Sequence, residues 1–520
     1  MKDIGSLTTS RRAFLGGTVA ATGGLILAGC TSKASPSASG GAGDGSAVKA
    51  LRIGITGDVL LSGLQRFQES NISIRRTVFD YMIDKNPDGS YRPALATAWE
   101  WSKDLKTLVI TLRDGVTFHT GRAFGPDDII ASVQAALDPK SGAQASGLLA
   151  LASSMKKTGN NQLTVTFDTP FPSYLDAYAM LPIIDKETYA SVAGGKNVIG
   201  TGPYTWKSWT AGSKYEMAKN GSYWQEGKPY FDSLSFSVIA DPQAILAAMQ
   251  SGQLDLVEAM VARDAATLQK DSRFAVGTST SYDIYVGVNT AIKPLDDVRV
   301  RQAIAYSLDR DRIVSQIYSG LAEPSSVPWA TNTPGVTKDM LTRYSYNVDK
   351  AKALLQEAGA AGAEIAVTPF VADKSVAAIQ DIVLFGLTQI GLKPKPVSYD
   401  AAGFATHLQQ GQFPGLWISN VALTAMGPVT TLMTANPLTI AKNTSNFVTP
   451  EYQSLAKAVT NATSADMSAA VTALTNYMLE QAFHNTVVQG ASNNVAVKGL
   501  TGVTTDLTKA VDLTNAKLSK

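Results

Sequence analysis

Few residues in this 520-residue chain are of types that could carry covalent or metal chemistry. There are three histidines, His119, His407 and His484, and one cysteine, Cys30. None of the histidines has a second one at a metal-ligand spacing such as H-x-x-x-H, so no metal site is expected. Ser153-Ser154-Met155-Lys156 matches S-x-x-K, and Lys157-Thr158-Gly159 matches K-T-G. Serine acyl-transfer enzymes that use both elements keep them far apart, on a helix and on a strand, with S-D-N between them. Here they abut, which leaves a coincidence. G-x-S-x-G, the phosphate-binding P-loop and G-x-G-x-x-G are all absent. The expectation is a protein that is not an enzyme, with no cofactor.

Cys30 has no partner for an intrachain disulfide. It ends a segment with a basic start (Arg11, Arg12) and a Gly-interrupted apolar run from Ala13 to Gly29. That order is a secretory signal, and the run is short and dilute for a membrane span. Ser10 to Leu15, SRRAFL, resembles the twin-arginine export motif. Leu27-Ala28-Gly29-Cys30 resembles a lipoprotein lipobox, which implies that Cys30 is acylated and becomes the first mature residue. Residues 30–47 are Ser, Ala, Gly and Pro with almost no large apolar side chain, so they read as a flexible tether. The expected location is the outer face of the cytoplasmic membrane, held by lipid.

Without residues 1–29 the chain loses three of its 45 basic and one of its 43 acidic residues, leaving 42 of each. That neutrality gives no electrostatic reason to bind nucleic acid. Leu51 to Thr56, Thr107 to Arg113 and Gln162 to Asp168 alternate as strands, the last two as parts of an antiparallel sheet. Gly125 to Leu137 reads as a helix opened by Pro126, Asp127 and Asp128; Asp297 to Gly320 and Asn347 to Ala360 read as two more. Strands grouped together with helices interspersed indicate α/β lobes with mixed sheets. Trp417, within Gly411 to Pro428, and Trp329, within Ser325 to Gly335, sit among Gly, Pro, Ser, Thr and Asn. Both stretches read as loops, with either a core plug or an aromatic pocket wall as the role.

Three long blocks then make the chain recognisable. Leu95 to Leu137, Gly200 to Val257 and Val286 to Pro324, followed by Tyr346 to Gly359, closely resemble the oligopeptide/dipeptide-type solute-binding proteins of ABC importers, solute-binding family 5. The resemblance implies a two-lobed fold of the periplasmic-binding-protein type II class with mixed sheets and two crossover segments, near Tyr285 to Asn289 and Val488 to Asn494. Lobe one would comprise 48–287 plus 488–520, with 80–185 as an inserted subdomain, and lobe two 288–487. It implies a monomer that takes a peptide or similar-sized polar solute between its lobes and passes it to a permease and ATPase. It also makes His119 and Gly202 scaffold residues.

By position in the resemblance, Tyr285, Trp417 and Asn420 are ligand-binding candidates. Trp329 and Met426 join them from loop composition alone. Peptide-binding members carry an acidic residue three places after the Trp, and here that place holds Asn420. An amide offers no charge to a peptide amino group, although its oxygen can accept a hydrogen bond. An extracellular receptor for signalling peptides or cell-wall fragments is the alternative, and a non-peptide solute or metal-chelate binder lies within the same family.

Overall fold

The computed structural model describes residues 49–66, 71–422 and 424–519. The signal segment, Cys30 and the tether lie outside the described residues. The centre of the structure is an 11-stranded mixed sheet. Its main path runs Lys393–Pro396, Glu364–Pro369, Leu416–Ala422, Phe274–Val288, His484–Val497, Leu256–Val257, Ala50–Ile55, Ser233–Val238, Lys214–Lys219 and Tyr204–Thr210, with Glu323–Pro324 also on the 484–497 strand. Phe274–Val288 and His484–Val497 are the longest strands and pair antiparallel along nearly their whole length. Each end of this ribbon belongs to a different apolar core. Val276 and Val495 pack with Ile245, Met249 and Leu254. Ile284, Val286 and Val288 pack with Val300, Ile304, Ile365, Val383 and Ile418.

A separate four-stranded antiparallel sheet, Ala96–Trp101, Thr107–Leu112, Gln162–Phe167 and Ala152–Gly159 in spatial order, sits apart from the central one. The S-x-x-K and K-T-G residues lie on its edge strand. Ser154 Oγ is spent on Thr166 Oγ1 at 2.8 Å. Helices begin where an aspartate can accept the first free backbone N–H groups. Asp241, Asp297, Asp309, Asp373 and Asp400 all do so.

His119 and Gly202 act together. His119 Nε2–H donates to the Gly202 carbonyl at 3.0 Å and Nδ1 accepts from Gly200 N, while burial pushes the imidazole down to about 4. A Cβ on Gly202 would lie 2.6 Å from the Val78 carbonyl carbon, so this close approach of two backbones requires glycine.

Two sequence readings are corrected. Asp297 to Gly320 is not one helix but two, Val298–Tyr306 and Arg310–Gln316. Asp309 caps the second, and the Arg310 guanidinium takes the Ala305 and Leu308 carbonyls freed at the break. Trp417 is not in a loop. It lies within the strand Leu416–Ala422, which is buried on both faces over most of its length and therefore lacks the apolar–polar alternation that marks a half-exposed strand.

Candidate functional site

The strand Leu416–Ala422 has one complete edge and one incomplete edge. Along Tyr282 to Val288 it is paired throughout. On the other side the parallel neighbour Glu364–Pro369 stops at Ile418, where Phe370 N makes the last bond, to the Ile418 carbonyl at 2.9 Å. Backbone groups of successive strand residues point to opposite edges, so those of Asn420 and Ala422 share the edge of Ile418. No described strand continues there. An extended chain could add to that edge by main-chain hydrogen bonds, reading few side chains.

The side chains around it are polar. Asn420 Nδ2 donates to Asp373 Oδ2 at 2.6 Å, and Asp373 Oδ1 caps the helix Lys374–Gln389 through Ser375 N and Val376 N. Tyr282, opposite Ala422, lies over Gly490, and Lys509 Nζ sits 4.0 Å from its ring centroid. The Asp373 carboxylate thus stands beside the open edge, while Tyr282 and Lys509 lie on the paired side of the strand, toward His484–Val497.

Tyr285 and Trp417 are brought together beneath that strand. Both are wholly buried, and Trp417 Nε1–H donates to Tyr285 OH at 3.0 Å. Phe413 stacks on the indole at 5.0 Å between ring centroids. A Cβ on Gly287 would lie 2.2 Å from the indole, so glycine lets Trp417 lie flat on the neighbouring strand. Tyr285 in turn stacks on His484, whose Nε2–H donates to Asp283 Oδ2 at 2.6 Å, both groups fully buried. These aromatics hold the strand; Asn420, on the opposite face, is the half-buried one.

Met426 is buried, and its carbonyl accepts from Lys85 Nζ at 2.6 Å. Trp329 stands apart from the group. It is fully buried outside any helix or strand, with Nε1–H bonded to Thr475 Oγ1 at 2.7 Å in an apolar core with Tyr344, Tyr452 and Phe483. Sequence reasoning missed Asp373. The only available signal was the helix start D-K-S-V at Asp373, which predicts a cap but no neighbour.

A further buried carboxyl lies where the short strand Leu256–Val257 ends. Glu258 is 1% exposed, the Ser73 hydroxyl donates to its Oε2, and burial pushes it up from 4.5 to about 7. The folded protein therefore holds a proton there that the unfolded chain releases. This contribution to stability is fully present below about pH 4.5 and is lost as pH rises toward about 7, by about 3 kcal/mol in all. Glu258→Gln is expected to melt a few degrees above the parent at about pH 8, with the gap closing near about pH 4.5; thermal melts across that range check it.

An α/β chain whose long central strands belong to two cores, with an incompletely paired strand beside them, has the fold of a type II periplasmic binding protein, and solved structures agree. The agropinic acid complex of AgaA from A. tumefaciens R10 superposes with a TM-score of 0.75 at 23% identity, over 91% of this chain and 99% of that one. Residues 90–436 match the model for bacterial extracellular solute-binding proteins, family 5, middle region, and the chain belongs to that family. It is a binding protein, not an enzyme.

Among curated relatives, the dipeptide-binding protein of Escherichia coli K12 is 31% identical over 300 residues. The match covers 51% of this chain and 55% of that protein. Heme-binding protein A of Haemophilus influenzae is 26% identical over 373 residues, covering 64% and 67% respectively. The chain thus matches between about half and two thirds of the length of these two relatives.

Proposed function

We propose that this chain is the substrate-binding subunit of an ABC importer, closing two lobes on a peptide or similar-sized polar solute and delivering it to a membrane permease. Lobe one is 48–287 with 488–520, carrying the inserted subdomain 80–185; lobe two is 288–487. The crossovers on which the lobes hinge lie near Tyr285 to Asn289 and near Val488 to Asn494, along the paired strands Phe274–Val288 and His484–Val497. Ligand favours the closed form through contacts to both lobes. The observation that carries this reading is the open edge at Asn420 and Ala422, which suits an extended backbone. Asn420 offers no charge of its own, so Asp373, held at 2.6 Å by its amide, is the carboxylate for a ligand ammonium. Relatives named for dipeptide and for heme set the range of solutes.

The SRRAFL motif and the lipobox support a lipoprotein anchored through Cys30 after twin-arginine export. Native mass spectrometry of the protein, gently extracted from its host's membranes, tests both parts. The expected chain mass begins at Cys30 with acyl groups added, and the expected non-covalent mass is a peptide. An unmodified chain would end the anchor reading. A consistent non-peptide mass would move the ligand to another class, and an empty protein that no peptide stabilises against heat would remove peptide binding.

A further inference from the structure

Asp176 lies on the short helix Leu175–Met180 of the 80–185 segment, its side chain 1% exposed. A carboxylate so far from water needs donors on its oxygens. Two come from the same segment: Lys85 Nζ and Tyr91 OH, each 2.7 Å from Oδ1. These two residues face each other across the antiparallel pair Ile83–Lys85 and Tyr91–Pro93. The third comes from far along the chain. Thr430 Oγ1–H, on the helix Pro428–Thr434, donates to Asp176 Oδ2 at 2.8 Å. The same Lys85 ammonium donates to the Met426 carbonyl at 2.6 Å. Around these bonds Leu148 and Leu149 share an apolar core with Val429 and Leu432.

Resting on the two-lobe reading above, these contacts join the inserted subdomain of lobe one directly to lobe two. None of them involves a ligand. We infer that Lys85, Asp176 and Thr430 form a latch that holds the lobes closed in the absence of solute. Opening takes Thr430 from Asp176 and Met426 from Lys85, and exposes Val429 and Leu432. The closed state therefore has a favourable contribution of its own. A binding protein whose competent state is only partly populated loses apparent affinity by that fraction, so the latch raises affinity for every solute alike. It sets how tightly solute is held, and the open edge sets which solute is held. The pairing of a buried carboxylate with a threonine hydroxyl also fixes the register of closure, because an apolar contact alone would tolerate sliding.

The test uses the mature chain from Thr31, with dyes on two introduced cysteines, Lys207→Cys in lobe one and Lys352→Cys in lobe two, both at exposed positions. Single-molecule energy transfer is recorded without ligand. The expected result is a dominant closed population in the parent, with the closed-to-open ratio falling about tenfold in Thr430→Val, which keeps the side chain's shape but removes the donor. Lys85→Met is expected to give a similar fall, and far-ultraviolet circular dichroism reads whether each variant is folded. Two populations whose ratio ignores both substitutions would overturn the latch and leave the two-lobe reading standing. A single unchanging efficiency in parent and variants, with any peptide added, would overturn both.

Discussion

Replacing Arg310 with leucine is expected to destabilise the protein by about 4 kcal/mol, the range seen when a buried, hydrogen-bonded charge is removed and its partners are stranded. The guanidinium is buried and reaches five carbonyls. Nε and one terminal nitrogen meet Thr486 O at 3.0 and 2.8 Å, and Nε also meets Ser325 O at 3.0 Å. The other terminal nitrogen takes Ala305 O, Leu308 O and Tyr344 O at 3.1, 3.3 and 2.7 Å. Burial pushes the group down to about 10, so it stays charged at neutral pH and every bond is charge-assisted. Leucine fills most of the space but leaves the carbonyls unpaired. Lysine keeps the charge, yet its single nitrogen cannot reach acceptors spread around a fork, so Arg310→Lys is expected to recover less than half of the loss. Urea unfolding of the three proteins checks both figures. A loss under about 1 kcal/mol for leucine would mean that water takes the place of the guanidinium.

The same residue explains where sequence reading stopped. Val300, Ile304 and Leu308, then Ile313 and Ile317, keep a helical period through the break, so periodicity alone merges two helices into one. The break is paid for by a side chain whose partners include Thr486, 176 residues away. The fold class was legible because it rests on local signals: alternation in Thr107–Leu112 and Gln162–Phe167, and a proline and two aspartates opening Pro126–Leu137. The long motifs of the family supplied the rest.

The candidate site was legible only in part. Tyr285 and Trp417 sit on adjacent strands, and resemblance names both, but not that they are buried under Phe413 and His484. Asn420 was visible as a departure from an acidic pattern. That its amide holds the carboxylate of Asp373, 47 residues earlier, depends on where one strand ends beside one helix cap. Asp176 and Thr430, 254 residues apart, carry no sign in sequence that they meet. Pairings across the sheet and between cores are set by topology, and a single sequence does not encode them locally.

Trp417→Ala is expected to cost about 4 kcal/mol, since it opens an indole-sized void in a fully buried cluster and leaves the Tyr285 hydroxyl without its donor. Trp417→Phe keeps the stacking on Phe413 and the fit over Gly287, loses only the N–H, and should cost about 1–2 kcal/mol. Binding should follow a different pattern. The indole has no exposed surface, and Asn420 three residues on presents the opposite face of the same strand. If Trp417 acts by keeping that strand straight, phenylalanine preserves the open edge, and peptide affinity should stay within about twofold. Alanine lets the strand settle into the void, and affinity should fall about tenfold, the equivalent of about one lost hydrogen bond. Calorimetric titration of the two variants with one peptide separates the roles. A tenfold loss already at phenylalanine would mean that the indole itself meets the ligand, by moving out of the cluster when the lobes part.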